Sequence, residues 1–266
     1  MIYITGDTHG SFARINSRNI PTWKSMTRND YLIICGDFGG VWDINVSDEE
    51  YRNMLELAHC PFTILFVDGN HENFDRLEKY PVVDFCGGKA HRIKENIYHL
   101  MRGEFYEIDG KTFWAFGGAR SHDISDGILD FDEVPPGEAI ETLNLWCRTK
   151  RFFRVKDFSW WEREMPSKEE MDYGKSVLEK HGNKVDFIIT HDAPSYVASK
   201  LVYGKFEPDE LSDYLEEIAG RVQFTGWFFG HYHKDTGFVT TDNNVYTCMY
   251  RKIVCLDEID YLSKEE

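Results

Sequence analysis

Short apolar runs, rich in β-branched and aromatic residues, recur along the chain, and each ends in a turn residue followed by a polar cluster. Residues 2–5 precede Gly6-Asp7, residues 31–35 precede Gly36-Asp37, and residues 62–67 precede Asp68-Gly69-Asn70. Later, 112–116 precede Gly117-Gly118, 186–190 precede His191, and 227–229 precede Gly230-His231. Continuous apolar runs of this kind predict strands buried on both faces. Helical periodicity separates several of them. Ser47 predicts a cap for a helix over 48–59, with Tyr51, Met54, Leu55 and Ala58 on its buried face. Ser167-Lys168-Glu169-Glu170 is a capping-box signature for a helix over 167–181, closed by Gly182. A similar pattern over 207–219 is closed by Gly220.

The stretch 93–116 has a different rhythm. It carries runs at 97–101, 104–108 and 111–116, and Asp109-Gly110 between the last two is a hairpin signal. A second hairpin is predicted from 237–241 and 245–250 around Asn243-Asn244, and 252–256 reads as a last strand. Strand–helix–strand units mixed with antiparallel meanders predict an α/β fold of two packed sheets flanked by helices. Residues 120–166 fit neither rhythm. They hold Pro135-Pro136-Gly137, a helix around 138–150, the basic-aromatic run Arg148 to Arg154, and Ser159-Trp160-Trp161. This stretch reads as an insertion covering one edge of the core.

Composition narrows the class. With 266 residues, 42% hydrophobic and 29% charged, the chain is neither collagen-like, disordered nor a disulfide scaffold. Its length suits a single domain over 1–266 with an insertion at about 120–166. No secretory apolar region or membrane-length run is present. The six cysteines are scattered without a CxxC pair, as expected of buried thiols in a reducing compartment. Cytoplasm is the expected location. The formal charge of −16 disfavours broad capture of duplex nucleic acid or an anionic membrane. A small phosphorylated ligand stays possible if positive charge is supplied locally.

The polar clusters at the strand ends suggest that supply. In order they are Asp7-Thr8-His9, Asp37, Asn70-His71, His191 and His231-Tyr232-His233, so five of the strand ends present only Asp, Asn and His donors. Mixed oxygen and imidazole donors suit manganese, iron, zinc or nickel rather than magnesium alone or an iron–sulfur cluster. Carboxyl ends of strands converge in open sheets, and the adjacent glycines permit sharp turns. One Asp-x-His after a strand is weak support for chemistry; five ligand-type clusters, each after an apolar run, are not an accident of packing.

As a set, Gly6-Asp7-Thr8-His9-Gly10, Gly36-Asp37, Gly69-Asn70-His71-Glu72, His191 and Gly230-His231-Tyr232-His233 resemble the ordered motifs of the calcineurin-like metallophosphoesterase superfamily. The resemblance spans residues 5–233. It implies a four-layer αββα sandwich of two mixed sheets and a centre of two divalent ions, manganese first, with iron, zinc or nickel as alternatives. It implies that one ion takes Asp7, His9, Asp37 and His233, and the other Asp37, Asn70, His191 and His231. His71 is then the catalytic residue beside the leaving group. Two dications about 3.5–4 Å apart hold a bridging hydroxide for in-line attack on phosphorus.

One departure matters. Many members carry an aspartate three residues after the bridging one, followed by arginine and glycine. Here Gly40 stands at that position and no arginine follows. The carboxylate that orients the catalytic histidine is missing, with Asp43 and Glu72 as nearby substitutes. The missing arginine disfavours the Ser/Thr-phosphatase and diadenosine-tetraphosphatase branches and leans the reading to a small phosphodiester or nucleotide. Alternatives are a protein or nucleotide phosphomonoesterase and a catalytically weak metal-binding scaffold. Arg120, after the strand at 112–116, is a candidate phosphate contact or a surface ion pair. His122 is a candidate substrate contact. Trp160 and Trp161 either stack on a substrate ring or pack in a lid. The run of Arg148, Lys150, Arg151 and Arg154 with Phe152-Phe153 is a candidate contact for a short single strand of nucleic acid.

Overall fold

The computed structural model describes residues 1–259 except 136, 203, 205 and 241–243. Along the chain come β1 (Ile2–Thr5), β2 (Tyr31–Ile34), α1 (Asp48–Ala58), β3 (Thr63–Phe66), α2 (Phe74–Leu77), β4 (Val82–Phe85), β5 (Gly88–Lys94) and β6 (Ile97–Leu100). Then follow β7 (Phe105–Ile108), β8 (Lys111–Phe116), β9 (Ile128–Leu129), α3 (Ala139–Arg148), β10 (Arg154–Val155), a 3₁₀ turn (Glu162–Glu164) and α4 (Lys168–Lys180). The chain continues with β11 (Phe187–Thr190), α5 (Ser195–Leu201), α6 (Glu210–Arg221), β12 (Gly226–Phe229), β13 (Thr236–Val239), β14 (Val245–Cys248), β15 (Ile253–Cys255) and α7 (Leu256–Ile259).

All of these strands but β9 and β10, which pair with each other, form two mixed sheets. One has the order β15-β1-β2-β3-β6-β5-β4, the other β13-β14-β12-β11-β8-β7. The central strands of each run parallel, and antiparallel strands close the edges. Strand alternation sorts the core into three packed zones. Ile2, Ile4, Ile33 and Leu65 of the first sheet meet Phe113, Phe187, Ile189 and Phe228 of the second in a layer between the sheets. On the outer face of the first sheet, Leu32, Ile34, Ile64 and Phe66 pack on Met54 and Leu57 of α1 and Leu77 of α2. On the outer face of the second, Trp114, Ile188, Trp227 and Phe229 pack on α4, α5 and α6. This is the expected arrangement of two mixed sheets between helices. Among the described residues, no helix is long and apolar enough to cross a membrane.

Local expectations held where a side chain acts on its own backbone. Ser47 caps α1 through Glu50 N, and Ser167 and Glu170 form a capping box on α4. Asp109 and Gly110 take φ of 50° and 73° in the tight β7–β8 turn, as a primed hairpin requires. Other expectations change. In α1 the buried residues are Glu50, Met54 and Leu57, while Tyr51 and Leu55 face solvent. Gly220 lies inside α6 rather than after it, and Asp209 caps that helix. The β4–β5 hairpin and α5 were not anticipated. The predicted turn at Asn243-Asn244 falls partly outside the described residues, although β13 and β14 do pair antiparallel.

Candidate metal centre

The loops after β1, β2, β3, β11 and β12 meet at one end of the two sheets. Backbone bonds tie the first two together: Thr8 N and His9 N both donate to Asp37 O, at 3.0 and 2.7 Å, and Gly10 N donates to Phe38 O at 3.0 Å. Asp37 Oδ1 accepts from His71 N at 2.8 Å, and Asp7 Oδ1 accepts from His231 N at 3.1 Å. Each carboxylate thus fixes the loop that carries a neighbouring histidine. His9, Asp37, His231 and His233 all have positive φ, between 45° and 63°. Such backbone costs about 1–3 kcal/mol per residue and persists only where the surroundings over-determine it. Gly36 has φ of 91°, and a Cβ there would overlap the His191 imidazole. Gly69 and Gly230 lie as close to the Asp37 and Asp7 carboxylates. The glycines beside the polar clusters therefore make room for the side chains themselves.

Two groups of donors share Asp37. On one side, ligand atoms of Asp7, His9, Asp37 and His233 all lie within 4.8 Å of one another. His9 Nε2 and His233 Nε2 stand 3.0 Å apart. Asp7 Oδ2 is 3.1 Å from His233 Nε2, yet it is buried without an aligned hydrogen bond. On the other side, His191 Nε2 lies 3.3 Å from both Asp37 Oδ1 and Asn70 Oδ1. His191 Nδ1 donates to Cys35 O at 2.8 Å, which leaves Nε2 as the atom facing the site. Asn70 Nδ2 donates to Ser121 Oγ at 3.3 Å, which turns Oδ1 inward. The His231 ring is 5.0 Å from that of His191. An orphaned buried carboxylate oxygen beside two close imidazole nitrogens is a donor set that a divalent cation satisfies.

The electrostatics point the same way. Burial alone raises Asp37, but His191, His71 and His9 outweigh it and hold its pKa well below the carboxylate range. Burial alone lowers His191, but Asp37, Asp7 and the Cys35 carbonyl lift it to about 10. A negative potential strong enough to charge a buried imidazole also attracts a metal ion. Burial lowers His9, and pushes His231 well below its ordinary value. His233 is raised, mainly by Asp7.

His71 stands at the rim, edge-on to His9 with ring centroids 4.9 Å apart and tilted against Trp42 at 5.4 Å. Neither substitute for the missing carboxylate is bonded to its ring. Glu72 is buried and accepts from Phe38 N at 2.7 Å, and no hydrogen bond joins Asp43 to His71. Instead Arg154 Nη2 lies 3.1 Å from His71 Nε2. Burial pushes His71 down to about 4, Asp37 opposes this, and Arg154 adds to it.

The candidate substrate contacts separate. Arg120 pairs with Asp209 at 3.4 Å and lines a cavity of about 200 Å³ with His122, Asp192, Phe206, Asp209 and His231. His122 tilts over the His231 ring at 4.2 Å. Trp160 is half-buried in the turn after β10, where its backbone N–H donates to Val155 O at 3.0 Å. Trp161 offers no stacking face: it is 1% exposed, and its indole donates to Asp75 Oδ2 at 3.0 Å. Its place is in packing, edge-on to Trp42. Arg154 and Asp123 are the residues that sequence reasoning did not single out. Both sat in stretches already marked, but as one basic residue of a run and one acid among 46 Asp and Glu.

Solved structures to which the chain shows some similarity include the phosphopantetheinyl hydrolase of Mycobacterium tuberculosis, 13% identical, with 100% of this chain and 92% of that one covered at a TM-score of 0.42. A dimetal phosphatase from Danio rerio is 13% identical over 94% of this chain and 86% of its own, at 0.49. A putative 5'-nucleotidase from Staphylococcus aureus is 13% identical over 97% of this chain and 51% of its own, at 0.41. No curated protein matches the chain by sequence. The family model for calcineurin-like phosphoesterases matches residues 1–235, and the chain belongs to that family.

Proposed function

We propose that the protein hydrolyses a small phosphoester, a phosphodiester or a nucleotide, using two divalent ions with manganese as the first choice. The observation that carries this reading is the pair of donor groups meeting at Asp37. Asp7, His9 and His233 would hold one ion, Asn70, His191 and His231 the other, and Asp37 would serve both. When bound, such ions polarise the phosphoryl group and supply a nucleophile at neutral pH. The chain's own residues do the rest. His71 N fixes the Asp37 carboxylate, the Cys35 carbonyl fixes the His191 tautomer, and Ser121 fixes the Asn70 amide. His71 Nε2 is assigned to the leaving-group oxygen. The net charge of −16 keeps long polyanions away and leaves the centre as a local point of attraction, which favours a small substrate in the cytoplasm over duplex nucleic acid.

The test is turnover of bis(p-nitrophenyl) phosphate, phosphomonoesters and nucleotides with manganese, iron, zinc and nickel, beside metal content by elemental analysis. Two ions per chain, turnover of at least one substrate, and loss of both in Asp37→Ala are expected. Full metal content with no turnover on any substrate would leave the scaffold reading instead. The ratio of monoester to diester rates decides between the two esterase classes.

A further inference from the structure

Arg154 stands beside the candidate metal centre without a role in holding it. It opens β10, whose parallel pairing with β9 sets it opposite Ile128. The backbone on both sides is tied down. Phe152 N donates to Asp126 Oδ2 at 2.8 Å, and Asp126 N returns a bond to Phe152 O at 2.9 Å. Val155 N donates to Ser159 Oγ at 3.0 Å. The guanidinium is thereby carried on regular structure and is only 14% exposed. Its Nε donates to both oxygens of Asp123 at 2.9 Å, its Nη2 lies 2.7 Å from Asp123 Oδ2, and its Nη1 donates to Ser159 O at 3.3 Å.

The remaining contact is the informative one. Nη2 is 3.1 Å from His71 Nε2, and a guanidinium can only donate, so the imidazole must accept. A fixed, nearly buried cation thus points at the ring beside the metal donors, and a neutral acceptor is all it meets there. Arg120, the sequence candidate for a phosphate contact, is 58% exposed and paired with Asp209 across the cavity on the His231 side.

We propose that Arg154 is the phosphate-binding cation of this site. Its Nη2 hydrogen bond passes from His71 Nε2 to a non-bridging phosphoryl oxygen when substrate enters, while Asp123 holds the guanidinium in position. The ligand class is a phosphoryl anion, for which the planar donor fork of arginine is suited. The segment that looks like a cover would then supply from a distance the arginine absent after Asp37. The proposal rests on the phosphoesterase reading for its substrate, but its test does not.

Inorganic phosphate is titrated calorimetrically into the manganese-loaded wild type, Arg154→Ala, Arg154→Lys and Asp123→Asn, with metal content measured for each. Arg154→Ala is expected to lose about 10- to 100-fold in phosphate affinity, as for a charge-assisted hydrogen bond, at unchanged metal content. Arg154→Lys should recover part of the loss, Asp123→Asn should show a smaller one, and KM should rise more than kcat falls. Wild-type phosphate affinity in Arg154→Ala overturns the proposal, as does a loss in both Arg154 variants that tracks lost metal. Phosphate binding that depends on Arg154 in a protein turning over no ester would support the clamp and sink only the hydrolase reading. Turnover with an unchanged phosphate affinity in Arg154→Ala would sink only the clamp.

Discussion

Gly36 and His71 define two ways in which a single residue serves this site. Gly36 gives space: it combines φ of 91° with an imidazole where a Cβ would sit. Gly36→Ala is therefore strained in its backbone and forces His191 away from Asp37. A loss of about 2 kcal/mol or more is expected in urea unfolding, together with a fall in metal content. Normal metal content in a stable Gly36→Ala protein would contradict the packing described. His71 does no such structural work, since its backbone N–H, not its ring, holds Asp37. His71→Ala should keep both ions and lose about 10²- to 10⁴-fold in kcat, the usual contribution of a proton-transfer group. Loss of metal in that variant would move His71 into the ligand set. At this scale the convergence of the candidate donors was legible because each is an Asp, Asn or His close after an apolar run. Arg154 and Asp123 were not, because their type matches ordinary surface charge and only the folding of 120–166 brings them to His71.

Elements were legible where a local signal closes on itself, as in the capping box of α4 and the Asp109-Gly110 turn. They were misread where the partner lies elsewhere. The β4–β5 hairpin is a polar edge of the first sheet, with Val82 exposed and Lys89 and Arg92 facing out, so it lacks the apolar runs of the central strands. Its value lies in what it buries. His91 of β5 and His99 of β6 face each other Nδ1 to Nδ1 at 3.0 Å, and His99 Nε2 donates to Asp68 Oδ1 at 3.0 Å. Arg102 completes the chain on Asp68 Oδ2. Only one of the two facing Nδ1 atoms can carry the hydrogen of their bond, so the two rings cannot both be charged. Burial, then His99, lowers His91 to about 4 from an ordinary 6.5. The unfolded chain therefore binds the extra proton between pH 6.5 and 4, and folding stability falls as pH drops through that window. From pH 7 to 5 this one group removes up to about 2 kcal/mol. His91→Phe should flatten the change in urea midpoint between those pH values relative to wild type. An unaltered pH slope would show that His91 is not held neutral.

Seen as a whole, the molecule is two sheets whose strand ends bring like-charged and orphaned groups together, a geometry that folding must hold against its own repulsion. Asp7 and Asp37 are both about 2% exposed and face the same centre. Four positive-φ residues add backbone strain at that end. A bound cation relieves the carboxylate repulsion and satisfies Asp7 Oδ2. Metal binding must then contribute to global stability, because the donors converge only in the folded chain. At a free manganese concentration of 100 times Kd, the gain is about 2.7 kcal/mol per site. For a chain of this size that corresponds to a rise in Tm of roughly 5–11 °C. Asp37→Ala should start from a different baseline, since one buried charge is gone, but show little further rise with manganese. The decisive quantity is the difference between the two titrations. A wild-type Tm indifferent to manganese, iron, zinc and nickel would mean that the cluster at Asp37 tolerates its charges by some other means and does not hold a metal ion.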